Sequence, residues 1–184
     1  MAYRKINSSQ EDVIQKVIQL GAEYGSSHVT MRTLADACQV STFTIISMFK
    51  NKQAYLDLAA QSIDVPHMET TKRLIQSGLG QIEVFDKLLD MFLSKPDEAL
   101  FYISYTYDYG FDPTSNNKRK ETFLSIAKAF FSDKKDAEDD YLLLLWDYVT
   151  SMLFYYAEKI IHGYLKNDAK TRKWIDEIVF KGIL

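Results

Sequence analysis

This sequence predicts an all-helical fold, on three observations. Apolar residues recur at three- and four-residue spacing through most of the 184 residues. No segment shows sustained period-two alternation bounded by hairpin turns, so no sheet is expected. The periodic segments are also punctuated by helix signals, with Ser, Thr, Asp or Pro in front and Gly or Pro behind.

The first helix is expected from Ser8-Ser9, where Ser8 and Glu11 have capping-box spacing. Its apolar stripe reads Val13, Ile14, Val17, Leu20 and Tyr24, and Gly25 is a natural stop. Residues 29–56 then read as three short helices, each opened by a cap. Thr30 caps the first, which carries Met31, Leu34, Ala35 and Cys38 at i, i+3, i+4, i+7. Gln39 and Val40 make the turn. Ser41 caps the second, with Thr44, Ile45, Met48 and Phe49 inward, and Asn51 caps the third. Two short helices joined by a tight turn, the second with small polar residues outward, amount to a helix-turn-helix.

The helix opening at Lys52 carries Leu56, Ala60 and Ile63 to a break or kink at Pro66, then resumes from Met68 to Ile75. Gly78-Leu79-Gly80 interrupts it. Ile82, Phe85, Leu88, Leu89 and Phe92 mark the next helix, ending at Ser94-Lys95-Pro96. Pro96-Asp97-Glu98 is a helix start, with acids near the positive end of the dipole. That helix holds Phe101, Tyr102, Tyr105 and Tyr109 and stops at Gly110. A loop over 111–117 leads to a helix from about Lys118 to Phe131, with Phe123, Ile126, Ala127 and Phe130 inward.

The helix expected over 135–166 is the most unusual. Its polar residues Asp147, Thr150, Ser151, Glu158 and His162 fall on one narrow stripe, and most of the rest is Leu, Trp, Tyr, Phe and Ile. A helix apolar over most of its surface must be covered over most of it. One neighbour cannot do that, so a second subunit is expected on one side. The last helix, 169–181, adds Trp174, Ile175, Ile178 and Val179.

Composition narrows the function classes. Hydrophobic residues at 47% and charged ones at 26% are globular values and argue against disorder. The single Cys38 excludes an internal disulfide and fits a reducing compartment. Met1 to Lys5 leads into polar residues, not the apolar core of a signal peptide. The longest apolar region, 141–157, is broken by Asp147 and Thr150-Ser151, so no membrane partner and a cytoplasmic location are expected. Net charge is −3 overall, but residues 1–56 hold six basic against four acidic side chains. A mildly basic head on an acidic body suits a protein that presents only its head to DNA.

No catalytic constellation can be assembled, so no enzyme, no cofactor and no metal site is expected. His28, His67 and His162 are far apart in sequence, and none sits in a metal-binding spacing. Asp108 and Asp112 bracket Gly110 and read as caps or solvated carboxylates. There is no phosphate-binding Gly-rich loop, and Lys118-Arg119-Lys120 reads as a solvated helix face.

Residues 29–56 resemble the DNA-binding domain of the tetracycline-repressor-like (TetR) family of bacterial transcription regulators. The matching positions are Thr30, Leu34-Ala35, Val40-Ser41, Thr44-Ile45, Phe49 and Asn51-Lys52. Val13-Ile14 to Leu20 and Glu23-Tyr24-Gly25 resemble the family's first helix. The resemblance covers about the first third of the chain. It implies a nine-helix fold with a helix-turn-helix DNA-binding domain over 1–51 and a helical ligand-binding and dimerisation domain over 52–184. It implies a homodimer through the helices over 135–166 and 169–181, bound to a double-stranded DNA operator, and a ligand-responsive repressor as the function. The DNA-binding residues expected are Thr30, Arg32, Ser41, Thr42, Phe43, Ser47 and Lys52, with Arg4-Lys5 as a basic arm.

Family members commonly bind small molecules between the helices of the body. With 14% aromatics, concentrated in the C-terminal two thirds, an apolar or aromatic ligand is expected against Phe85, Leu89, Phe92, Tyr102, Tyr105, Phe123, Ile126 and Trp146. The chain departs from the family pattern at Gln39, where Gly is usual, at Phe43, where a small residue is usual, and at Ile46, Ser47 and Met48, where phosphate-contacting aromatics are usual. These departures support a second reading, in which sequence-specific DNA binding is lost and the chain acts through protein–protein contacts.

Overall fold

The computed structural model of the protein describes residues 9–109, 117–134 and 136–181. They form nine α-helices and no strand: α1 Gln10–Tyr24, α2 Met31–Cys38, α3 Thr42–Phe49, α4 Lys52–Gln76, α5 Gln81–Ser94, α6 Pro96–Tyr109, α7 Asn117–Phe130, α8 Asp139–Ile161 and α9 Ala169–Phe180. Short 3-10 turns at Ser26–His28 and Ser132–Lys134 complete the described structure. Arg4, Lys5, Ser8 and Asp112 lie outside the described residues, as do the side chains of Lys118 and Arg119.

The chain divides into two compact units, residues 1–66 with 96–110 and residues 67–95 with 111–184. Helix α4 belongs to both, and the division falls at Pro66, inside the helix. Proline has no N–H to give to the preceding turn, so the backbone ladder of α4 loses a rung there. The expected division at 51/52 is a functional one; the contacts instead group the first half of α4 and all of α6 with α1–α3.

In the first unit α1 packs along α6, and α2 and α3 pack against each other, with α2 also on α1. The capping box of α1 pairs Ser9 with Asp12, one residue later than the spacing of Ser8 and Glu11 suggests: Asp12 Nα donates to Ser9 Oγ (3.1 Å) and Ser9 Nα to Asp12 Oδ2 (2.9 Å). This register leaves both Glu11 and Asp12 in the first turn, beside the positive end of the dipole. The buried face of α1 is Val13, Ile14, Val17, Ile18 and Gly21, whereas Leu20 is half-buried and Tyr24 is 58% exposed. Gly21 owes its place to Phe101 of α6, whose ring lies where a Cβ would stand, 2.4 Å from Cδ2.

In the second unit α8 packs on α5 and α7, and α9 on α5 and α8. Phe85 meets Phe180 edge-on at 5.6 Å between centroids, and Phe130 meets Trp146 at 5.4 Å. Arg172 ties α9 to α5 through Asp86 (3.1 Å) and Asp90 (2.6 Å). Helix α8 is shorter than the 135–166 span its composition suggests. It starts behind Glu138, after the 3-10 turn, and ends at His162, where Gly163 takes a positive φ of 73° that halts the helix.

Its inner face is Leu142, Trp146, Val149, Leu153, Tyr156 and Ala157. Its outer face carries Asp147 and Ser151 as the polar stripe implies, but also exposed Tyr141, Leu144, Tyr148 and Tyr155. The apolar residues of α9 part in the same way: Ile175, Val179 and Phe180 face inward, while Trp174 and Ile178 are 50% and 59% exposed.

Candidate nucleic-acid interface

The segment from Ser26 to Leu56 builds one local structure from its caps and turns. Thr30 is extended (φ −96°, ψ 161°) and accepts from Thr33 Nα at 3.1 Å, while Thr33 Oγ1 accepts from Thr30 Nα at 2.9 Å. That reciprocal pair satisfies two of the amides a helix start leaves over. Leu34, Ala35 and Cys38 are buried and Met31 is half-buried. Burial pushes the Cys38 thiol up, which keeps it protonated.

The turn is made by Gln39 in the left-handed region (φ 55°, ψ 36°). The strain this costs a non-glycine residue, about 1 kcal/mol, is offset locally: Gln39 Nα reaches Asp36 O and Val40 Nα reaches Ala35 O, both within 3.1 Å. Ser41 then caps α3 by accepting from Thr44 Nα at 3.1 Å. Ile45 and Phe49 are buried, and Thr44 and Met48 are half-buried. Asn51 caps α4, accepting from Ala54 Nα at 2.9 Å.

Between Phe49 and Asn51 the chain has a single residue to reverse direction. Lys50 does so at φ 66° and ψ −49°, the second positive φ on a non-glycine residue. Nothing in its residue type signals this. The signal available was spacing, because a core Phe49 and a capping Asn51 leave only one position for the turn.

The segment is anchored from behind. Tyr55 is fully buried, stacks edge-on against Phe49 at 6.0 Å and donates from its hydroxyl to Val29 O at 2.8 Å. Burial pushes that hydroxyl up to about 12, so it stays a neutral donor. Asp108 of α6 accepts from Ser26 Oγ (2.7 Å) and Ser27 Nα (2.9 Å), and Ser104 Oγ accepts from Ser26 Nα (2.7 Å). The Ser26 hydroxyl, chiefly, holds the Asp108 carboxyl below its ordinary range. Asp108 is thus a structural clamp on the turn before α2, a role its sequence context beside Gly110 did not reveal.

The expected DNA-binding residues are exposed in this segment, with the exception of Lys52. Thr42, Phe43 and Ser47 are exposed on α3, with Phe43 at 78%. Ile46, 46% exposed, lies one turn from Phe43. Arg32 is exposed on α2, Thr30 and Ser41 are the exposed caps, and Lys50 adds a cation at the end of α3. Lys52 is half-buried and its Nζ donates to Ser27 O.

The hydroxyls of α3 are mostly committed locally. Ser47 Oγ donates to Thr44 O at 2.9 Å, and Ser41 Oγ shares a hydrogen with Thr44 Oγ1 at 2.9 Å.

The residues expected to meet a ligand divide between the units. Phe85, Leu89, Phe92, Ile126 and Trp146 are buried in the second, where Phe123 is half-buried. Tyr102 and Tyr105 belong to the first, and their hydroxyls donate to Asp64 (2.5 Å) and Asp57 (2.6 Å) of α4. Among the described residues no group of three or more His, Cys, Asp or Glu is placed to hold a metal ion, and no helix is long and apolar enough to cross a membrane.

No protein-family model matches the sequence, and no curated protein does. Solved structures do match. A TetR family transcription regulator from Marinobacter aquaeolei VT8 superimposes with a TM-score of 0.72 at 11% identity, over 94% of this chain and 93% of that one. A TetR-like transcriptional regulator from Rhodococcus sp. RHA1 gives 0.66 at 12% identity, over 98% of each chain. At such identities the likeness is one of fold: the chain has the all-helical fold of TetR family regulators along nearly its whole length.

Proposed function

We propose that this chain is a DNA-binding transcription regulator, a ligand-responsive repressor that acts as a homodimer. The observation that carries the reading is α3 itself. It is the second helix of a helix-turn-helix, its Phe49 packed on buried Tyr55 while Asp108 clamps the turn before α2, and its outer face is presented to solvent in a segment that also exposes Arg32 and Lys50. A helix so presented fits the major groove, with its first residues nearest the base edges. Residues 1–51 are the DNA-binding head, with Thr42, Phe43 and Ser47 toward the bases. Thr30, Arg32, Ser41 and Lys52 meet the backbone and set the register. Residues 52–184 form the body.

The outer faces of α8 and α9 support the dimer. Tyr141, Leu144, Tyr148 and Tyr155 line one side of α8, and Trp174 and Ile178 line one side of α9. An apolar face of that extent suits a second copy, and two-fold pairing makes the same patch meet itself. A small apolar or aromatic ligand held within the body would favour one spacing of the two heads. A dimer holds its heads at one half-site separation, so that shift would release the operator.

The test is a selection of bound DNA from a random pool, repeated across salt concentrations, followed by gel shifts on the recovered sequence. A palindromic operator whose affinity falls with salt is the expected result. The absence of any sequence-specific complex at low salt would overturn the reading. It would leave exposed Phe43 and Ile46 as a surface for contacting another protein.

A further inference from the structure

Helix α3 reads TFTIISMF from Thr42 to Phe49, and none of its eight residues is Arg, Lys, Asn or Gln. Those four are the side chains that recognise guanine or adenine through paired hydrogen bonds in the major groove. The hydroxyls the helix does carry are largely engaged: Ser47 donates to Thr44 O, and the Ser41 and Thr44 hydroxyls bond each other. Beside Thr42 and Ser47, its exposed side chains are hydrocarbon, the Phe43 ring and the Ile46 side chain one turn further along. The major groove offers one apolar recognition group, the 5-methyl of thymine.

We propose that α3 reads DNA by methyl contact, with Phe43 and Ile46 each seated against the 5-methyl group of a thymine in every half-site. The proposal rests on the DNA-binding reading above and names what the helix recognises. Phe43 lies in the first turn of α3, where a recognition helix comes nearest the base edges. Ile46 follows by three residues, about 4.5 Å along the helix axis. Base pairs are stacked about 3.4 Å apart, so the two side chains address thymines one or two steps apart.

The charges around the patch fit this occupant. Arg32 and Lys50 are exposed in the same segment, whose one acidic residue is Asp36 on α2. Cations at the margin suit phosphates on either side of a groove whose floor is read by apolar contact.

The experiment replaces each thymine of the selected operator by deoxyuridine, one symmetric pair at a time, and measures affinity by fluorescence anisotropy. Deoxyuridine pairs as thymine does and lacks only the methyl. The wild-type protein should lose affinity at two positions per half-site, by about fourfold for each buried methyl and so about 15-fold for a symmetric pair. Phe43→Ala should bind the thymine and deoxyuridine operators alike at one of those positions, and Ile46→Ala at the other. Both side chains are exposed, so both variants should keep the wild-type circular dichroism and melting temperature.

A specific complex whose affinity changes less than twofold at every deoxyuridine would overturn methyl reading and leave the DNA-binding function standing. Methyl reading is overturned equally if both variants remain as sensitive to deoxyuridine as the wild type. Failure of the selection to yield any specific operator would remove the function and this inference together.

Discussion

Gly21→Ala tests the packing that holds the helix-turn-helix to its support. Gly21 is buried in α1 beneath Phe101 of α6, and a Cβ there would stand 2.4 Å from Cδ2 and 3.0 Å from Cε2 of the ring. Carbon atoms prefer about 3.5–4.0 Å, so the ring would have to withdraw by roughly 1 Å. Phe101 is fully buried and has no free space at the surface to move into. Overpacking of this kind costs about 1–3 kcal/mol. Alanine is favoured over glycine inside a helix by about 0.8–1.0 kcal/mol, which offsets part of it.

An approach this close to a fully buried ring belongs to the upper part of that range, so the steric effect wins and the net loss should be about 1–2 kcal/mol. For a chain of this size that is a fall in melting temperature of roughly 2–8 °C. Urea unfolding or calorimetry would measure it. Adding Phe101→Leu should relieve the clash, so that the double variant is more stable than the sum of the singles by about 1 kcal/mol. A Gly21→Ala protein as stable as the wild type, or more so, would refute the argument, because helix propensity would then outweigh the contact and α1 could not lie so close to α6.

Three further outcomes are expected. Trp174→Glu or Ile178→Glu should turn a dimer into a monomer at micromolar concentration in analytical sedimentation, since each would leave an unpaired charge in a dry interface; a wild type that sediments as a monomer at high concentration would sink the paired-head model. Lys52→Ala should weaken binding to all DNA sequences alike and lower the salt slope by about one unit per head, and a change in base preference instead would contradict its assignment to the backbone. Burial, with a smaller push from Asp86, raises Asp176 to about 6 against the pull of Arg172. That lies above the unfolded value of about 3.9, so its contribution to stability is fully present below about pH 4 and is lost as pH rises through about 6. Asp176→Asn should therefore gain on the wild type between pH 4.5 and 7.5, and a difference that does not vary with pH would count against it.

What the sequence determined by itself is most of what local chemistry controls. The caps at Thr30, Ser41 and Asn51 and the stops at Gly25 and Pro96 depend on a few adjacent residues, so the helices of the first third, and with them a fold, follow from the order of residues alone. Leu34, Ala35, Ile45 and Phe49 likewise follow from period alone. Tertiary structure decided what periodicity leaves open. The α1 stripe runs through Ile18 and Gly21 because Phe101, eighty residues away, fills the space a side chain at 21 would need. The Asp108 clamp on Ser26 and the Tyr102 and Tyr105 bonds to Asp64 and Asp57 also join residues far apart in the chain. Helix α8 is rich in apolar residues on nearly every side, so its sequence could not say which of them face inward. Contact with α5, α7 and α9 buries Trp146 and Leu153 and leaves Tyr148 and Tyr155 outside, because a helix can turn only part of its surface to its neighbours.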